Sequence, residues 1–179
     1  PSRRSRRRRI LIRAKRKIKR FIDKWASEDD PAVYAKMRAK ADGWAKEPEK
    51  HKLLNAAYKS TQRQLEKQGI ESMGAFRGMA LPSSHPLSQA IKSGRLKVGD
   101  EFEMTGTTVL SWSDSRDKAV NFMRFRGVKG DTGVVLSSNI DRKDVFMSHR
   151  TQKTLAGYDE REIIVRNPGK RRVRIEAIE

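Results

Sequence analysis

The texture of the chain changes at Met73, and that one change restricts the folds open to it. Before it, apolar residues recur at three- and four-residue spacing, the period of a helix. After it, short runs rich in Val, Ile, Phe and Thr alternate with clusters of Gly, Pro, Ser and Asp, the pattern of strands and turns. A helical segment followed by a strand-rich one predicts an α+β fold with N-terminal helices. In the first part, Leu11, Ala14, Ile18, Phe21 or Ile22, and Trp25 mark one stripe of a basic amphipathic helix, expected to pack on the next helix rather than lie on a membrane. Asp30 before Pro31 is a helix start, with Val33, Tyr34, Met37 and Ala41 on one face until Gly43 interrupts it. Pro48 reopens a helix through Leu54, Ala57, Tyr58, Thr61 and Leu65, and Gly69 stops it. Strands are predicted over 75–79, 107–113, 133–138, 144–147, 161–166 and 171–178, with a turn into a strand beginning at 98–102 and helices over 87–93 and after Ser113-Asp114-Ser115. The expected organisation is a basic arm and amphipathic helix over 1–26, a helical segment over 27–72, and a strand-rich core over 73–179.

The net charge of +19 is unevenly placed: residues 1–20 hold twelve Lys or Arg and no acid. From Pro1 to Arg9 no apolar residue is available for burial, so disorder is expected there unless a polyanion is present. Arg6, Arg7, Arg8, Arg9, Arg13, Lys15, Arg16 and Lys17 are the candidate nucleic-acid contacts, because neutralising phosphates releases condensed counterions and gives strong, salt-sensitive binding. A solvated tail, an import signal and an anionic-membrane binder are the other readings of such an arm. A secretory signal does not fit, since no uninterrupted apolar core follows the charges, and no stretch is apolar enough to span a bilayer. With no cysteine, and with His51, His85 and His149 far apart and outside any acidic cluster, a metal site is not expected.

Three elements of the second half carry candidate chemistry. In Tyr158-Asp159-Glu160-Arg161-Glu162-Ile163-Ile164-Val165 two carboxylates lead into a β-branched run; on a strand, Glu160 and Glu162 would point the same way and share one site. The plain alternative is the solvent face of an amphipathic strand. Arg77 beside Gly78 at a strand end offers a guanidinium fork for a phosphate and a backbone that a ligand can approach, or else a surface arginine at a turn. Ser111-Trp112-Ser113 puts two hydroxyls on one face at another strand end, with Ser113 also available as a helix cap.

In this order the three resemble the mono-ADP-ribosyltransferases of the arginine-serine-glutamate type, the group that includes cholera-toxin-like and actin-modifying bacterial toxins. Phe76-Arg77-Gly78 looks like the strand-one arginine motif. The turn Gly99-Asp100-Glu101-Phe102 and the stretch Leu110–Ser113, followed by a helix with Ala119 and Phe122, look like the second motif, usually Ser-Thr-Ser, with Trp112 in place of the threonine. Residues 158–165 look like the turn and strand ending in Glu-x-Glu. The resemblance covers about residues 73–179; helices ahead of this core are common in the family, and the arginine arm is outside its motifs.

The resemblance implies a split β-sandwich and NAD as substrate, without a metal. It gives Glu162 the catalytic role of stabilising positive charge on the ribose, Arg77 a grip on NAD phosphate, Gly78 a backbone contact to the nicotinamide amide, and Ser111 the orientation of Glu162. Glu160 would act on the acceptor, and Tyr158 sits where the family often has an aromatic acceptor-recognition residue. A glutamate at the first acidic position usually accompanies arginine acceptors, which argues for a protein arginine. The basic arm argues for a nucleic acid or a protein bound to one. Trp112 could stack on a base or on nicotinamide, with a core position as the alternative. A phage or bacterial effector acting in the cytoplasm of a target cell, carried in a virion or released from a longer toxin, is the expected context. The rival readings are a nucleic-acid-binding protein with an inactive fold of this type, and an NAD glycohydrolase that uses water as acceptor.

Overall fold

In the computed structural model, residues 3–27, 30–106, 109–152, 161–167 and 169–179 are described. The first helix, α1 (Arg3–Ser27), runs unbroken through the arginine-rich stretch where disorder was expected. Arg and Lys are good helix formers, and once the last turns are anchored by Ile22 and Trp25, each further residue adds one backbone bond without a new nucleation penalty. Like charges four apart oppose this, among them Arg3 and Arg7, Arg4 and Arg8, Arg9 and Arg13, and Arg13 and Lys17, each by about 0.2–0.5 kcal/mol. Only the C-terminal part of the expected stripe is covered: Ile22 and Trp25 are buried and Ile18 and Phe21 pack against them, while Leu11 is exposed.

Helix α2 (Pro31–Lys46) starts as predicted, with Asp30 accepting a 2.9 Å hydrogen bond from the Ala32 amide and proline in the first turn. It runs through Gly43 rather than stopping there. Trp44 and Ala45 beyond it are buried, and at Gly43 the His51 ring lies so close that a Cβ would sit 3.1 Å from its Nε2. The glycine serves packing, not termination. Past Pro48 a single 3-10 turn intervenes before α3 (Lys52–Lys67), which buries Leu54, Ala57, Thr61 and Leu65 and ends at Gly69 with φ +69°.

Strand β1 (Ser72–Leu81) follows, then α4 (Pro86–Lys92), β2 (Glu101–Gly106), β3 (Val109–Ser113), α5 (Arg116–Arg126), β4 (Thr132–Asp141), β5 (Val145–Ser148), β6 (Glu162–Arg166) and β7 (Gly169–Ile178). All strand pairs are antiparallel, in the order β2-β7-β4-β1-β3-β6-β5. The join is weakest at the centre, where β1 meets β3 at one register pair, Phe76 opposite Ser113; elsewhere the register shifts only between Val135 and Leu136 in β4 and between Val145 and Met147 in β5. The sheet therefore has a four-stranded and a three-stranded part. One core cluster takes side chains from both, including Ala75, Leu136 and Ile175 from the first and Trp112, Ile163 and Val165 from the second.

The three N-terminal helices cover the other face of the three-stranded part. Val109, Phe146, Met147 and Ile164 share a core with Ile22, Trp25, Trp44 and Leu54, so the helical residues and the sheet are packed as one body. Trp44 stacks on Phe146 at 4.3 Å between ring centroids, worth about 0.5–1.5 kcal/mol beyond the area it buries. Asp42 of α2 also accepts a 2.7 Å hydrogen bond from the Val109 amide, fixing α2 over the start of β3. Helix α5 lies on the four-stranded part, where Ala119 and Met123 pack on Val135 and Phe76. Among the described residues no helix is long and apolar enough to cross a membrane.

Candidate active site

Alternation along β3 sends Leu110 and Trp112 into the core shared by the two parts of the sheet and leaves Val109, Ser111 and Ser113 on the helix-covered side. Register then does the rest. Ser113 lies opposite both Phe76 of β1 and Glu162 of β6, so three motifs far apart in sequence meet at the one place where the sheet is weakly joined.

Glu162 is 8% exposed, and one of its oxygens is held from two sides. The Ser111 hydroxyl donates to Oε1 at 2.5 Å, and the Trp25 indole N–H donates to the same atom at 3.0 Å. A carboxylate this far from water requires such donors. Arg77 projects from β1 and donates from Nη1 to the Ser111 carbonyl at 2.5 Å. It thereby braces the junction at which β1 and β3 share a single register pair, and fixes the backbone that carries the Ser111 hydroxyl.

These groups line a cleft of about 610 Å³. One wall is helical, with Trp25 from α1 and Pro31, Tyr34 and Arg38 from α2; the other is β1 from Phe76 to Leu81 together with Ala119 and Phe122 of α5. Trp25 and Tyr34 meet at 5.4 Å between centroids with their planes 53° apart, giving the helical wall an aromatic surface. A cleft of this size, with aromatic residues in its walls beside Arg38, Arg77, Ser111 and Glu162, suits a polar small-molecule ligand of nucleotide size.

Glu162, Arg77, Ser111 and Gly78 all border this cleft, whereas Glu160 and Tyr158 lie outside the described residues. β6 begins at Glu162, and Arg161 before it has φ +50°, so the strand alternation expected to put Glu160 and Glu162 on one face does not extend across Arg161. The absent Cβ of Gly78 has a packing reason, since a Cβ there would fall 1.7 Å from the Ala119 carbonyl oxygen. Trp112 is a core residue, 3% exposed, which removes it as a stacking platform. Ser115 rather than Ser113 caps α5, its hydroxyl accepting from the Lys118 amide, while Ser113 Oγ accepts from the Ser115 amide. Arg6, Arg7, Arg8, Arg9, Arg13, Lys15, Arg16 and Lys17 are all exposed along α1.

Two features were not read from the sequence. Trp25 and Tyr34 read from the sequence only as helix-packing residues, and nothing in their spacing signals that they border the cleft or that Trp25 meets the Glu162 carboxylate. The second is Asp114, at the end of β3. Its carboxylate meets Arg161 Nε at 2.5 Å and His149 Nε2 at 2.8 Å, with Arg150 at 3.6 Å. Burial pushes the Asp114 carboxyl up, but the hydrogen bonds from Arg161 and His149 outweigh it and hold the group below the usual carboxylate range. The network ties the end of β3 to the residues after β5 and before β6, and so fixes the frame around Glu162.

Among the described residues no group of three or more His, Cys, Asp or Glu is placed to hold a metal ion. No family model matches the chain, and neither a curated protein nor a solved structure is significantly similar to it.

Proposed function

We propose that the chain is a mono-ADP-ribosyltransferase that cleaves NAD between nicotinamide and ribose and passes ADP-ribose to a macromolecular acceptor. The observation that carries this reading is the Ser111–Glu162 hydrogen bond in a cleft that Arg77 also lines. These are the three residues named by the family resemblance, on three strands, with Arg77 and Ser111 34 residues apart and Ser111 and Glu162 51 apart. A seven-stranded antiparallel sheet weakly joined at its centre, with both parts feeding one core, fits the split β-sandwich expected of that family.

Loss of nicotinamide leaves positive charge on the ribose carbon, as in glycoside hydrolysis. Glu162, fixed by two donors on one oxygen, directs its carboxylate at a ribose hydroxyl and at the developing cation. Ser111 and Trp25 set the carboxylate plane. The Arg77 guanidinium, steadied on the Ser111 carbonyl, attracts the pyrophosphate, and the Gly78 backbone meets the nicotinamide amide. Glu160 would guide or deprotonate the acceptor nucleophile, which we assign to a protein arginine, on a nucleic-acid-associated target.

A second reading has its own observation: the exposed cations of α1, from Arg3 to Arg20, form a nucleic-acid-binding element that delivers the enzyme or, in a catalytically inert chain, is itself the function. Transfer of label from ADP-ribose-tagged NAD in a cell lysate separates the two. Glu162→Gln keeps size and hydrogen bonding but removes the charge, and is expected to lower labelling by at least 100-fold. Protease and nuclease digestion then name the acceptor class. Free ADP-ribose without labelled polymer would identify a glycohydrolase, and intact NAD with no label would refute the catalytic reading.

A further inference from the structure

We propose that Trp25 is a positioning residue for Glu162 and that, through it, a nucleic-acid backbone bound along Arg3–Arg20 of α1 is coupled to the cleft. The helix that carries twelve cations in its first part ends on the carboxylate of the cleft. Trp25 is 4% exposed, packed on Phe21 and Tyr34, and its indole N–H reaches Glu162 Oε1 at 3.0 Å. The other two tryptophans differ: the indole N–H groups of Trp44 and Trp112 have no acceptor among the described residues.

The character of α1 selects its partner. Successive helical residues are 100° apart, so Arg6, Arg7, Arg8 and Arg9 surround the helix with charge. Of the exposed Ile10, Leu11 and Ile12, the first two continue the stripe of Ala14 and Ile18, but Arg7 and Arg3 occupy the same face ahead of them, so the stripe stops at Ile10. A membrane-surface helix needs an apolar face opposite a basic one. A helix charged on all sides over its first two turns, Arg3–Arg9, instead fits the major groove of a duplex, about 12 Å wide with phosphates along both edges. Arg3–Arg20 would lie along about 27 Å of it at 1.5 Å per residue.

The coupling has a definite sign. Like-charge neighbours along α1 oppose its helical state, and phosphates between them remove that opposition. The more persistent helix holds Trp25 against Glu162 for more of the time, so duplex and ordered carboxylate favour the same state. By reciprocity, a ligand that engages the ordered Glu162 tightens duplex binding by the same factor.

The test uses the full chain labelled with ¹⁵N at its three indoles and a 20-base-pair DNA duplex at 50 mM salt. On saturation, hydrogen exchange at the Trp25 indole is expected to slow about tenfold while Trp44 and Trp112 stay unchanged. No change at Trp25, equal slowing at all three, or failure of the duplex to bind would overturn the proposal. Slowing by phosphatidylserine vesicles but not by duplex would overturn the choice of partner. The kinetic arm rests on the transferase reading: duplex should raise NAD cleavage about threefold. In Trp25→Phe that stimulation should vanish, with kcat about tenfold lower and KM for NAD within twofold. An indole response without any NAD cleavage would sink the transferase reading and leave the coupling standing. NAD cleavage indifferent to duplex, with an unmoved indole, would do the reverse.

Discussion

Replacing Gly78 with alanine puts a methyl carbon 1.7 Å from the Ala119 carbonyl oxygen, 2.7 Å from its carbonyl carbon and 2.9 Å from the Met123 amide nitrogen. All three are backbone atoms of α5, so no rotamer change relieves the clash; α5 must lift from β1. Overpacking of a filled site costs about 1–3 kcal/mol, and rigid neighbours put this variant at the upper end, about 3 kcal/mol. For a domain of this size that is a fall in Tm of about 6–12 °C. Two other glycines set the scale. Gly74 lies on the same strand with nothing within 4 Å of a built Cβ, so Gly74→Ala is expected to be neutral or to stabilise by up to about 1 kcal/mol through the unfolded chain. At Gly133 the Cβ meets the Met123 side chain at 2.9 Å, and a flexible thioether can move, so a loss of about 1 kcal/mol is expected. Thermal and urea denaturation of the three variants should give that order. A Gly78→Ala protein melting within 2 °C of the wild type would refute the seating of α5 on β1.

Asp114→Asn should destabilise at pH 7 by about 1–3 kcal/mol, the range for hydrogen bonds to a charged group. Because the folded carboxyl titrates below its unfolded value, its contribution is complete above the unfolded value and is lost as pH falls through the folded one; the gap between wild type and variant should therefore close below about pH 4 in urea titrations. A gap independent of pH would sink the assignment. Phe146→Ala removes the ring under Trp44 and should cost about 3–5 kcal/mol, with loss of the Trp44 near-ultraviolet signal; an unchanged signal would contradict the packing of helices on β5. Deleting residues 1–9, which removes six of the cations and leaves Ile18, Ile22 and Trp25 on α1, should flatten the dependence of polyanion affinity on salt, by about 0.9 for each phosphate no longer neutralised, while NAD cleavage without duplex stays within about twofold. Equal loss of both would make the arm part of the catalytic fold.

Local rules made much of the chain legible. The Asp30-Pro31 start, the Gly69 stop, the position of the seven described strands and the change from helix to sheet near residue 72 follow from side-chain periodicity, capping and backbone freedom, all of which act within a few residues. So does the common face of Ser111 and Ser113, since alternation is a property of a single strand. The same rules missed where a long-range contact overrode them. Gly43 reads as a stop until His51 is packed against it, Trp112 reads equally as platform or core until two parts of a sheet close over it, and the arginine arm reads as disordered until its far end is docked. The candidate site divides in the same way. Arg77, Ser111 and Glu162 could be named from sequence because each sits in a local motif. That they meet was decided by strand order, which sets β1, β3 and β6 side by side, and that Trp25 joins them was decided by helix packing across 137 residues. Periodicity determines what a segment becomes; only the mutual burial of segments determines what it touches.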